Sequence, residues 1–228
     1  MLHIDLWSDV ACPWCYLGIR HLREALADFP HADEVEVALH AYLLDPELDS
    51  PLEKPRRAYL IEEVGMDVAE AVAADERLVK LGAAEGVAFD FENAIVAPTS
   101  NAHRAIGAAA DFDVENDTTA GPDTTALKLA EALGRAQFEM ALDVSDPDVL
   151  VGCAQDIGLP AERVVEALAS EEYASRVFSD FQIGVQVGID LVPTYLFDRR
   201  FVVQDHQTVT ALGNILATAW ENSGKDRA

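Results

Sequence analysis

Cys12 and Cys15, with only Pro13 and Trp14 between them, constrain the fold more than any other feature of the chain. The segment before them, Leu2-His3-Ile4-Asp5-Leu6, alternates apolar and polar residues with the period of a half-buried strand. The segment after them carries Cys15, Ile19, Leu22, Leu26 and Phe29 at helical spacing. The pair therefore stands where a strand ends and an amphipathic helix begins. Pro13 suits the first helical position, where its missing N–H would have had no partner. Unpaired backbone N–H groups and the helix dipole favour an anionic sulfur at that end. Cys12 precedes the apolar stripe at the exposed tip and reads as the attacking thiolate. Cys15 opens the stripe and reads as the buried resolving thiol. Two thiols so placed form a redox couple.

Two other readings of the pair stand beside this one. A zinc site needs about four ligands. The chain adds only Cys153 and the histidines His3, His21, His31, His40, His103 and His206, with no second CxxC and no HxxxH pair. No metal is assigned on that basis. A purely structural disulfide is the other reading, and an intracellular setting argues against it.

The 228 residues allow one domain with a large insertion, or two small ones. Val35, Val37, Leu39 and Ala41 alternate with Glu36, Ala38, His40 and Tyr42 as a second strand. Leu43 to Pro55, with three prolines, reads as a linker. From Arg56 to about Ser170 the pattern is helical throughout, rich in Ala, Glu and Leu. Asp67, Thr99, Asp123 and Asp146 are expected N-caps, and Asp111 to Pro122 a polar loop. Strands return as a short hairpin at Pro193–Phe197 and Phe201–Val203. A last helix follows, with Val209, Leu212, Leu216 and Ala219 buried. The order β-α-β, helical block, α-β-β-α is the skeleton of a thioredoxin fold. The expected class is α/β: a central mixed sheet flanked by helices, formed by residues 1–52 and 172–228, with an all-helical domain, 53–171, inserted in a surface connection.

Acidic residues number 41 against 16 basic ones, a net charge of −25 spread along the whole chain. This is the composition of a protein adapted to high salt, where self-repulsion is screened because the Debye length falls to about 3 Å at 1 M. It argues against nucleic acid or an anionic membrane as partner. No apolar run is long enough to span a bilayer, and no basic segment followed by an apolar stretch opens the chain. The expected location is the cytoplasm.

Three segments carry a family likeness: Asp9-Val10-Ala11-Cys12-Pro13-Trp14-Cys15-Tyr16-Leu17-Gly18, Asn101-Ala102-His103-Arg104, and Leu191-Val192-Pro193-Thr194. Together they resemble the DsbA family of thiol-disulfide oxidoreductases, in its cytoplasmic FrnE-like branch, over nearly the whole chain. The resemblance implies that Val192–Pro193 is a cis peptide facing the CxxC. Val192, Pro193 and Thr194 would then offer backbone groups to an extended substrate beside Cys12. An ordinary proline at a strand start is the other reading. The chain departs from the family at Leu191, where many members have Gly, and at Gln204-Asp205-His206-Gln207, where many have a small-residue segment ending in Gln. Both departures bear on substrate class, not on the dithiol chemistry.

Trp14 shields the disulfide, contacts substrate or packs on the inserted helices, and supplies no cation to Cys12. Asp9 opposes a second negative charge at Cys12, relays protons to Cys15, or caps its loop. His103 is a supporting residue that would bond a substrate or backbone carbonyl, or a satisfied helix histidine. Tyr16 reads as packing, Cys153 as a buried core thiol, and Asp205 and His206 as caps of the last helix.

The expected activity is thiol-disulfide exchange, reductive or isomerising, with protein or small-molecule disulfides and dithiols as substrates. No metal or organic cofactor is implied beyond the Cys12–Cys15 couple, and a thiol reductant would recycle it. Two alternatives accompany this. One is an enzyme like glutathione transferase kappa or 2-hydroxychromene-2-carboxylate isomerase, using a thiol cofactor. The other is a non-catalytic peptide-binding chaperone.

Overall fold

The computed structural model describes residues 1–224, so the last four residues of the 172–228 segment lie outside it. Strand β1 (Leu2–Ser8) is the axis of the sheet. It pairs in parallel with β2 (Val35–Ala41), from Leu2 opposite Val35 to Ser8 opposite Ala41. Parallel neighbours need a crossover, and helix α1 (Pro13–Ala27) lies in that connection. On its other side β1 pairs antiparallel with β3 (Thr194–Phe197), which pairs with β4 (Phe201–Gln204). The mixed sheet runs β2-β1-β3-β4.

This register positions the site. Trp7 lies opposite Thr194, so the residues just before β3 arrive at the end of the sheet from which the chain leaves β1 toward Cys12. At the other end the hairpin turns through Asp198 and Arg199, both at positive φ (46° and 55°). Non-glycine residues rarely adopt that region, and Asp is among the better tolerated. The Asp198 carboxylate accepts the His3 N–H at 3.0 Å, and the rings of Phe197 and Phe201 stack beneath the turn.

Between β2 and β3 lie α2 (Arg56–Glu62), α3 (Val68–Ala84), α4 (Ser100–Glu115), α5 (Thr125–Phe138), α6 (Pro147–Asp156), α7 (Ala161–Ala169) and α8 (Glu171–Gln186). Helix α9 (Val209–Gly224) packs beside α1. The main core joins both parts. Leu2, Ile4 and Leu6 of β1 and Leu22 and Leu26 of α1 share one cluster with Ala102, Ala105 and Ala109 of α4 and Leu127, Leu129 and Leu133 of α5. The alanines on α4 let it approach its neighbours closely.

Local details differ from the sequence expectation. Helix α4 continues to Glu115, because Asp113 is buried and accepts the N–H groups of Thr125 and Ala126 at the start of α5. Thr124, not Asp123, is the N-cap there, accepting from Leu127 N. Thr99 sits at the N-cap of α4 without a side-chain bond, whereas Asp67 and Asp146 do cap α3 and α6. Cys153 is half-buried against the core rather than inside it. Before α9 it is Thr208 that accepts a helix N–H, from Ala211; the Asp205 carboxylate accepts from His206 N, ahead of the helix. Among the described residues no helix is long and apolar enough to cross a membrane.

Candidate active site

Cys12 is the N-cap of α1, in extended conformation (φ −100°, ψ 112°), with Pro13 in the first turn. The N–H groups of Cys15 and Tyr16 both reach the Cys12 carbonyl, at 3.0 and 3.1 Å, and close that turn. Both thiols are free. Each is largely enclosed, Cys12 6% and Cys15 1% exposed. Burial pushes the Cys15 thiol well up, and the neighbouring Cys12 sulfur adds to the rise. A thiol held neutral until needed suits the second step of an exchange rather than the first.

Val192 and Pro193 stand directly against the pair. Their peptide bond is cis. The Cys12 thiol donates to the Val192 carbonyl at 3.6 Å. Thr194 Oγ1 donates to the Leu191 carbonyl at 2.5 Å, fixing the loop before β3. Cys12, Cys15, Val192, Trp7 and Ile189 form a small apolar cluster that Trp14 and Tyr42 border. Leu191, at the departure from the family pattern, is exposed beside it.

Asp9 and His103 come together beside this loop. The Asp9 carboxylate is buried and accepts from Ala11 N (3.3 Å) and Leu44 N (2.8 Å), capping its loop and tying it to the segment after β2. His103 Nε2 lies 3.3 Å from the same carboxylate. The histidine is buried on α4, against the Asp9 carboxylate. Its neighbour Arg104 donates to the Leu168 carbonyl at the end of α7. Tyr16 packs in a second apolar cluster, and its hydroxyl donates to Glu139 Oε1 at 2.5 Å.

Several residues around the pair make contacts that the sequence did not reveal. Arg77 of α3 places its guanidinium 5.0 Å from the Trp14 ring centre, so a cation does stand over that indole. His206 lies on Trp14 at 5.3 Å between centroids. His21 of α1 bridges the Gln207 carbonyl and Glu85, each at 2.7 Å. Arg56 of α2 is held by the buried Asp75 at 2.7 Å and covers the Phe91 ring. Burial pulls the Arg56 guanidinium down, against the charge of Asp75 and, more weakly, of Cys12. Gly18 leaves room for Pro193 and Tyr195, since a Cβ there would lie 3.1 Å from Pro193 Cγ. Two of these had a signal in the sequence: Gly18, a glycine in mid-helix one turn past the cysteines, and His206, in the segment that departs from the family pattern.

A cavity of about 660 Å³ borders His3, Glu36, Asp113 and Arg199 at the far end of β1, away from the two cysteines. Among the described residues no group of three or more His, Cys, Asp and Glu side chains is placed to hold a metal ion.

Residues 3–217 match the family described as DSBA-like thioredoxin domain. No curated protein matches the chain. Among solved structures, a protein of Streptomyces coelicolor assigned as a DsbA oxidoreductase is 32% identical, with a TM-score of 0.79, covering 97% of this chain and 91% of its own. A Nitrosomonas europaea protein assigned as a protein disulfide isomerase is 19% identical, with a TM-score of 0.73 over 97% and 98% of the two chains. The cytosolic disulfide reductase DsbM of Pseudomonas aeruginosa, solved with GSH, is 18% identical, with a TM-score of 0.62 over 99% and 100%. The last two share the fold.

Proposed function

Because the chain belongs to the DSBA-like thioredoxin domain family, we propose that it is a cytoplasmic thiol-disulfide oxidoreductase of the FrnE-like kind, working through Cys12 and Cys15. The observation that carries this reading is the asymmetry of the pair: Cys12 caps the helix N-terminus against the Val192 carbonyl, while Cys15 lies buried one turn in.

Cys12, as thiolate, attacks one sulfur of a substrate disulfide. A bond forms from Cys12 to that sulfur, and the other substrate sulfur leaves as thiolate and takes a proton from solvent. Cys15 then loses its proton and attacks Cys12. The Cys12–Cys15 bond forms, and the second substrate thiolate departs. The substrate has gained two electrons and the pair has lost two. Backbone at Val192, Pro193 and Thr194 receives an extended substrate, and Trp14 shields the bond being exchanged. A cytosolic thiol pool favours reduction or isomerisation over net oxidation. An external thiol, of the kind seen with DsbM, returns the pair to the dithiol. The net charge of −25 supports a working environment of high salt.

The test is a trap. Cys15→Ser should accumulate a mixed disulfide with a model peptide disulfide, and Cys12→Ser should not. Equal trapping by both variants, or by neither, contradicts the assignment. Survival of peptide binding with no exchange in the native protein would point instead to a chaperone.

A further inference from the structure

Tyr195 is wholly buried, and among the described residues its hydroxyl has no hydrogen-bond partner. An orphaned polar atom in a core carries a desolvation cost of about 1–3 kcal/mol, and Phe at this position would avoid it. Such a group calls for a reason. Its place in the fold supplies one. The hydroxyl lies 2.6 Å from the point that a Cβ on Gly18 would occupy, and Pro193 Cγ lies 3.1 Å from the same point. The hydroxyl is thus wedged between α1 and the Val192–Pro193 loop. Gly18 is one turn after Cys15, and Cα–Cβ bonds on a helix lean toward its N-terminus. The orphan hydroxyl therefore overlies the stretch of α1 that carries Cys15.

Cys15 is the complementary group. It is 1% exposed, and the exchange proposed above requires it to ionise in that enclosure. A buried thiolate is costly. A backbone hydrogen bond from Asp9 eases that cost here, and a side-chain donor would ease it further. Charge on Cys15 and Cys12 reaches the Tyr195 hydroxyl, second only to burial in holding its proton on. It stays a donor under all working conditions.

We infer that the Tyr195 hydroxyl is the hydrogen-bond donor reserved for the Cys15 sulfur as it ionises to resolve the mixed disulfide. The hydroxyl gives a hydrogen bond and keeps its proton; the Cys15 proton leaves to solvent as the Cys12–Cys15 bond forms. The orphaned state belongs to the resting dithiol, in which the Cys15 thiol asks for no strong donor. This rests on the dithiol reading of the pair.

The test uses Tyr195→Phe and 5,5′-dithiobis(2-nitrobenzoate), whose two thionitrobenzoate ions are released in turn by Cys12 attack and Cys15 resolution. In Tyr195→Phe the first release should match the native rate within about twofold. The second should be about tenfold slower at neutral pH, the loss of one hydrogen bond to a charged group. Its pH profile should also move to higher pH, while thermal stability stays level or rises. A second release with native rate and pH profile overturns the inference. So does equal slowing of both steps with a fall in stability, which marks a packing role. Failure of the dithiol reading is separate: the native protein itself would give no second release that Cys15→Ser abolishes.

Discussion

His103 Nε2 lies 3.3 Å from Asp9 Oδ1, and both side chains are buried, 5% and 1% exposed. The contact joins α4 to the loop that ends in Cys12. A carboxylate taken out of water needs every partner it has. The Asp9 carboxylate also accepts from Ala11 N and Leu44 N, so among the described residues the histidine is its one side-chain partner.

Replacing His103 should therefore cost stability according to what the new side chain can donate. His103→Ala leaves Asp9 short of a donor and should destabilise by about 2 kcal/mol or more. His103→Gln keeps an N–H within reach and should recover much of that loss. Urea unfolding of the two variants checks this. Equal stability of His103→Ala and the native protein would show that the contact contributes nothing.

His40 offers a pH test away from the cysteines. It lies between Asp5 Oδ1 at 2.9 Å and Asp180 Oδ1 at 3.1 Å and stacks on Trp7. Burial works against its charge, but the hydrogen bonds to Asp180 and Asp5 outweigh it and raise the imidazolium to about 9 from 6.5. The group is protonated more readily folded than unfolded. Its contribution is thus full below about 6.5 and is lost as pH climbs through about 9. The unfolding free energy should fall between these values in the native protein and fall less in His40→Gln. Parallel pH curves for the two proteins would contradict this.

Two glycine replacements should act in opposite directions. Gly18→Ala drives a methyl against the buried Tyr195 hydroxyl and Pro193, and should cost about 1–3 kcal/mol and slow disulfide exchange. Gly152→Ala, in α6 with nothing within 4 Å of the new Cβ, should stabilise by about 0.5–1 kcal/mol. Thermal melts of the two variants separate a packing constraint from a propensity effect.

The charge excess predicts salt dependence. With 41 acidic against 16 basic residues, the melting temperature should rise as KCl is raised from low to molar concentration, because repulsion among carboxylates is screened. A flat or falling curve would remove the case for adaptation to high salt.

Much of the fold was legible because it is written in local periodicity. The alternation of Leu2 to Leu6, the stripe from Cys15 to Leu26 and the paired runs around Asp198 each named a strand or helix that the structure contains. The surroundings of the cysteines were not legible. Asp9 and His103 are 94 residues apart, and the reading of His103 as a satisfied helix histidine named no partner for it. Arg77 reaches Trp14 from α3, whose N-cap Asp67 was legible but whose approach to the cysteines was not. The capping at α5 shows the same limit locally: Asp123 and Thr124 are both good caps, and the buried Asp113 carboxylate decides which one serves.

The central claim is that Cys12 and Cys15 form one reversible couple. The direct measurement is their equilibrium against graded thiol/disulfide buffers in high salt, read by alkylation and mass. The account predicts a single two-electron transition, within the span of about −270 to −120 mV found for thioredoxin-fold pairs and absent in Cys15→Ser. Thiols that stay reduced across that whole span, or that oxidise only between molecules, would contradict it.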